Sequence, residues 1–292
     1  MTEICVDNVF KSYGATPILE RVNVTLPDHE FCTILGPSGA GKTTLLRILL
    51  SMEAPTKGQV RIDGVAIDEE PQPDRGVVFQ RYSVFPHMTA LNNVMIGPQL
   101  SGGNWFTRPM GAKRRQLRDR AAGLLEEVGL GHALEKYPSQ LSGGMQQRLA
   151  IAQALIMEPK VLLLDEPFGA LDQSTKRSMH QLILELWERN KMTIVMVTHD
   201  IQEAFTLGTR ILMIDKWRDD PQAPEAFGST ITHDLKLDPN RRPPLTVVTE
   251  DTLDADDHDP HSMRAIFARW TQNAGDAVLE KGGAALTKTG DR

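Results

Sequence analysis

The chain has 292 residues, 38 acidic against 32 basic, a formal net charge of -6, and 40% hydrophobic side chains. That length buries a substantial core as one large domain, or as one domain with a smaller attachment, and the acidic balance argues against a general nucleic-acid binder, which needs a basic face. Its two cysteines, Cys5 and Cys32, lie in short apolar or β-branched runs and read as two buried, reduced thiols.

The start, MTEICVDNVF, lacks the basic residues and apolar stretch of a secretory signal. Runs such as LLRILL and VLLL fall far short of the roughly 20 residues that cross a bilayer, so at a membrane another chain would have to span it. Alternating apolar residues at 4–10, 18–26 and 30–35 predict three strands joined by short turns. The third runs into a glycine-rich loop, and TTLLRILLSM behind it has the pattern of a helix. Past residue 85, Pro and Gly interrupt a polar stretch before KRRQLRDRAAGLLEEVGL, a long amphipathic helix; about 86–150 is expected to be an inserted helical subdomain. Helix 142–157, strand VLLLD, helix 174–190 and strand TIVMVTH then alternate, which predicts a parallel sheet within an α/β domain spanning 1–216. Periodicity fades beyond Trp217 into loop or extended chain, so 217–292 is expected to be a loop-rich, acidic extension. Met263, Ile266, Phe267 and Trp270 predict one short helix there, and the crowded Asp254, Asp256, Asp257, His258, Asp259 and His261 read as a solvated segment rather than a metal site.

Gly36, Pro37, Ser38, Gly39, Ala40, Gly41, Lys42, Thr43 and Thr44 spell G-x-x-x-x-G-K-[ST] between a predicted strand and a predicted helix. Glycines let backbone N–H groups turn toward phosphate oxygens, the helix start adds positive potential, Lys42 supplies a cation, and the Thr43 hydroxyl can ligate Mg²⁺. At the end of VLLLDEP stand Asp165 and Glu166, two adjacent carboxylates that are expensive after a buried strand unless they serve a cation or a proton transfer. Neighbouring strand residues face opposite sides, so Asp165 is the expected Mg²⁺ partner and Glu166 the expected base for an attacking water. His199 ends another apolar strand, where a lone histidine is more often structural; its ring donor becomes useful beside a γ-phosphate if the family resemblance given below holds.

The phrase QLSGG occurs twice. Behind the second copy, GGMQQRLAIAQAL is helix-forming, Ser142 stands at its N-cap, and free N–H groups there can meet an anion. The first copy runs into NWFTRPMG, where Pro109 and Gly111 prevent a useful helix, so Ser101 to Gly103 is read as a turn.

Taken in order, the phosphate loop, Gln80 in VVFQ, the phrase 141–146, the Asp165–Glu166 pair, GALD ending in Asp172, and His199 resemble the ATP-binding subunits of ABC transporters over about residues 4–214. That resemblance implies a P-loop NTPase fold: a parallel sheet core with an N-terminal antiparallel β subdomain and an inserted α-helical subdomain. It implies that adenine stacks on Tyr13, that Gln80 senses Mg²⁺ and the attacking water, and that Ser142, Gly143 and Gly144 contact the γ-phosphate of ATP held by a second copy. Asp172 would link the two sites of a head-to-tail homodimer. Permease subunits, and indirectly a periplasmic solute-binding protein, are the implied partners, with no nucleic acid; the place is the cytoplasmic face of the plasma membrane. DEPFGALD and FPHMTALNNV resemble importer subunits of the nitrate, sulfonate and taurine group and of urea- or guanidine-linked relatives. An exporter subunit or a nucleic-acid-dependent ATPase are the alternatives. Gln153, where many relatives carry Arg, and LGTRI at 207–211, which lacks a common Asp, depart from the pattern without touching a predicted reacting group.

Overall fold

The computed structural model describes residues 2–68, 70–80, 83–100, 111–216, 218, 226–237 and 279–280. The N-terminal hairpin is built from β1 (Ile4–Tyr13) and β2 (Thr16–Leu26), antiparallel from Ile4 opposite Leu26 to Tyr13 opposite Thr16. Its alternating burial leaves Val6, Val9, Val22 and Val24 inside. β4 (Lys57–Ile62) pairs with the other edge of β1, and β5 (Val65–Ala66) with β4.

The third predicted strand, β3 (Phe31–Leu35), does not join this group. All five of its residues are buried, as befits a strand covered on both faces, and it lies parallel to β8 (Thr193–Val197) and β9 (Arg210–Lys216). β7 (Val161–Asp165) and β6 (Arg75–Val78) extend the parallel set, giving the order β9-β3-β8-β7-β6. β10 (Ser229–Leu237) runs antiparallel to β9 and touches β2 through one parallel pair, Ser229 with Leu19. β11 (Leu279–Glu280) pairs with β10. Among the described residues one sheet of eleven strands thus joins the antiparallel and parallel halves.

Period-two alternation sends the two faces of the parallel strands into different cores. Leu162, Leu164, Ile194 and Met196 face the cluster containing α2 (Ala90–Leu100), α3 (Ala112–Glu127), α4 (Gly143–Leu155) and α5 (Gln173–Asn190). Leu163, Val195 and Val197 face α1 (Lys42–Leu49) and the N-terminal hairpin. The third, smaller cluster packs α6 (Ile201–Leu207) against Leu35, Ile211 and Met213.

Three expectations are refined. The stretch after residue 85 contains α2, hidden in sequence by Gly97 and Pro98, which lie in its last turns beyond the buried Ala90, Leu91, Asn93, Val94 and Met95. The chain past 217 supplies β10, whose polar STITHDLKL buries fully only its end residues Ser229 and Leu237, so its periodicity is faint. Both cysteines are free thiols; Cys32 is buried, whereas Cys5 is half-buried beside Arg61 and Thr25. The first QLSGG turn at 101–103, the helix predicted at 263–270 and the acidic stretch 254–261 lie outside the described residues. Among the described residues no helix is long and apolar enough to cross a membrane, and no group of three or more His, Cys, Asp and Glu could hold a metal.

Candidate active site

Four adjacent parallel strands end at one edge, where open α/β sheets form their ligand crevice. β3 leads into Gly36–Thr44, β8 into His199, β7 into Glu166, and β6 into Gln80. The sheet order therefore gathers residues spread over 164 positions of sequence, from Gly36 to His199.

In the phosphate loop Gly41 adopts φ 81 immediately before α1, and a Cβ there would lie 2.8 Å from Leu19 and 2.9 Å from Ile18, so both backbone and space demand glycine. No side chain caps α1, so its first-turn N–H groups remain for an anion. Lys42 Nζ donates to the carbonyls of Gly36 and Pro37 at 2.7 and 2.9 Å, and burial lowers its pKa, weakening its hold on the proton in a way that an incoming phosphate would reverse.

Thr43 Oγ1 donates to Asp165 Oδ1 at 3.2 Å. Burial, opposed by that hydrogen bond and reinforced by the neighbouring Glu166 charge, raises the Asp165 pKa. A half-buried carboxylate beside a hydroxyl is a hard-oxygen pair suited to Mg²⁺. Glu166 points elsewhere. Its Oε2 accepts from Gln80 Nε2 at 3.2 Å and stands 3.4 Å from His199 Nδ1, a ring 58% exposed. Asp165 ends β7, and Glu166 just beyond it has φ 47, an uncommon conformation for a residue with a side chain; the two carboxylates point apart as expected, but through this left-handed turn rather than through strand alternation.

Tyr13 ends β1 and is 47% exposed, with its hydroxyl donating to Glu53. Ser142, by contrast, caps α4, its Oγ accepting from Met145 N at 3.3 Å, and Gly143 beside it is exposed. Leu149, Ala152 and Leu155 are buried and Met145 half-buried, which is the helix face anticipated from sequence. Among the described residues no hydrogen bond or ion pair joins 36–44 to 142–144, and the two elements belong to different cores. Asp172 caps α5: its carboxylate accepts from the hydroxyls and N–H groups of Ser174 and Thr175, and those bonds, the Ser174 hydroxyl first, push its pKa far down.

Sequence reasoning did not find Glu53, or the charged group made by Lys176 and His180 on α5 with Asp200 and Glu203 at the start of α6. A signal for the latter exists: Asp200 and Glu203 are spaced as an N-cap and its third helical residue, and Asp200 Oδ1 accepts from Glu203 N at 3.1 Å. No local pattern marks Glu53.

The family model for ABC transporter proteins matches residues 19–169. The nitrate import ATP-binding protein NrtD of Synechocystis sp. is 42% identical over 201 residues, covering 69% of this chain and 72% of its own. The bicarbonate transport ATP-binding protein CmpD of Synechococcus elongatus is 43% identical over 220 residues, covering 72% and 74%. Among solved structures, the dimeric ATP-binding cassette MJ0796, in a post-hydrolysis state bound to ADP and Pi, superposes with a TM-score of 0.63 at 34% identity, covering 80% of this chain and 98% of that one. With a phosphate loop, a carboxylate pair and a histidine set at one sheet edge on this fold, the chain belongs to the ABC transporter family, as an ATP-binding cassette that hydrolyses ATP.

Proposed function

We propose that this cassette powers import of a small polar solute through a membrane-embedded permease, by hydrolysing ATP at two sites shared between two copies of the chain. The observation that supports the reaction most directly is the convergence of Gln80 and His199 on one oxygen of Glu166, beside the phosphate loop. In this reading Tyr13 stacks on adenine, the N–H groups of Gly36–Thr44 and the Lys42 ammonium hold the phosphates, and Glu166 accepts a proton from the attacking water. Gln80 orients that water, and His199 donates to the γ-phosphate. Thr43, Asp165 and Gln80 would hold Mg²⁺, which neutralises phosphate charge when bound. The separation of Ser142–Gly144 from the phosphate loop within one chain favours a head-to-tail homodimer, in which each signature helix start meets the other copy's ATP and Asp172 lies at the joint.

The ATPase domain is taken as 1–216 with its helical subdomain inserted at about 86–150, and 217–292 as an extension that lends β10 to the sheet. The helical subdomain offers a cavity of about 450 Å³ lined by Leu91, Asn92, Met95, Arg114, Arg115 and Arg118, which is where a permease would be met at the cytoplasmic face of the plasma membrane. The nitrate relative serves import, which weighs against an exporter. The named relatives' solutes, nitrate and bicarbonate, favour a small oxyanion over urea or guanidine compounds. A periplasmic solute-binding protein completes such a system.

The test is ATP-driven uptake by vesicles containing this cassette with its neighbouring permease, offered nitrate, bicarbonate, sulfate, taurine or urea. Uptake of one solute that vanishes with Glu166→Gln supports the proposal; solute efflux, or ATPase activity stimulated by nucleic acid instead, overturns it.

A further inference from the structure

Glu53 lies outside every motif considered above, yet it is a hub. It follows α1, and its carboxylate receives the Tyr13 hydroxyl, Arg47 Nη1 of α1 at 3.2 Å, and Lys11 Nζ of β1 at 3.4 Å. Lys11 is itself anchored, donating to the Ala54 carbonyl at 2.8 Å, and its ammonium sits 5.2 Å from the centroid of the Tyr13 ring, within cation–π range. The ring is thus fixed at its tip by Glu53 and covered on one face by a cation, while nearly half of its surface stays open.

An exposed tyrosine on a strand end normally samples several rotamers, and a base that stacks on it must first freeze them. A ring already held loses less freedom on stacking. Because Arg47 belongs to the helix that begins with Lys42, the same carboxylate ties the ring's position to the phosphate loop.

We propose that Glu53 is a positioning residue for the nucleotide base, holding the Tyr13 ring at a fixed distance from the phosphate loop so that base and triphosphate are bound together. This rests on the reading of Tyr13 as the base platform. Glu53 touches neither phosphate nor water in this role, so its loss weakens nucleotide capture without slowing chemistry.

The experiment uses the full chain and measures ATPase KM and kcat, together with inhibition by inorganic tripolyphosphate, which has no base. Glu53→Ala is expected to raise KM about fivefold, the scale of one hydrogen bond, with kcat within about twofold. Tyr13→Phe should do the same, the double variant should be no worse than either single, and Glu53→Gln, which keeps an acceptor, should restore KM to within about twofold of the original. Tripolyphosphate inhibition should be unchanged by Glu53→Ala. An unchanged KM in Glu53→Ala, effects that add in the double variant, or an equal loss of tripolyphosphate binding would overturn the proposal, the last by assigning Glu53 to the support of α1. Tyr13→Ala separates the two ideas: a normal KM there removes the base platform itself, whereas a raised KM with normal Glu53→Ala removes Glu53 alone.

Discussion

Thr198 Oγ1 donates to Glu203 Oε2 at 2.8 Å, so the residue immediately before His199 is fastened to a carboxylate on α6. Glu203 is 3% exposed and faces Lys176 Nζ at 3.2 Å and His180 Nε2 at 3.7 Å, while Asp200 stands 3.4 Å from the same ammonium. Since Asp172 caps α5, these contacts join the segments carrying Asp172 and His199. Removing one partner of a buried ion pair leaves the other charge poorly compensated, so Glu203→Ala should lower unfolding stability by about 3 kcal/mol. It should also reduce kcat. Glu203→Gln, still able to accept from Thr198, should recover more turnover than stability. Urea unfolding alongside steady-state turnover checks both, and lost stability with unaltered turnover would separate the network from His199.

Replacing Glu166 by Gln keeps the shape and the neighbours of the carboxylate but removes its basicity. Turnover should fall about 10²- to 10⁴-fold, the usual contribution of a general base, while ATP still binds and a dimer accumulates. Gel filtration with ATP and a phosphate-release assay measure the two effects. Normal turnover in this variant would assign the base elsewhere.

The two QLSGG copies make opposite predictions. Ser142→Ala removes the α4 cap, which should cost about 1 kcal/mol in stability and weaken hydrolysis as well. Ser101→Ala should leave hydrolysis unchanged. Comparable loss of ATPase activity from both changes would refute the choice of the second copy.

Glu30 provides a pH dependence far from the phosphates. It is buried, and this desolvation raises its pKa even though Arg210 Nη1 lies 3.2 Å away and opposes the shift. A carboxyl that holds its proton more tightly when folded favours the native state below its unfolded value, and that advantage is lost as pH rises through the folded value. As pH rises above the ordinary carboxylate value of about 4 toward neutrality, the original protein should therefore lose stability relative to Glu30→Gln. Thermal unfolding across that range decides the sign; a gap that moves the other way would mean that Arg210 outweighs burial.

Local signals made much of the site legible before any coordinates. The loop 36–44 and the pair Asp165–Glu166 each sit in a contiguous stretch whose neighbours are a buried strand and a turn, and Ser142 precedes a helix-forming run; such patterns need no knowledge of packing. Glu53, Lys11 and Arg47 are different. They are separated in sequence and meet only because β1, α1 and the turn after it converge, so no window of residues reveals them. β10 was obscure because most of its side chains are only partly covered, and α2 because Pro98 occupies a final turn that the usual reading ends earlier.

The contact between Ser229 and Leu19 has a mechanical meaning. Long ladders make β1 with β2 one stiff plate and β10, β9, β3, β8, β7 and β6 another, and among the described residues the plates meet along the sheet at that single pair between β10 and β2. Tyr13 rides on the first plate, Lys42 and Glu166 on the second, and Gly41 presses against Ile18 and Leu19 at the joint itself. Because the hairpin, α1 and the parallel strands share one core, a nucleotide gripped at both ends braces two plates that are already packed together, and it fills the one seam that the backbone ladder leaves almost unstitched.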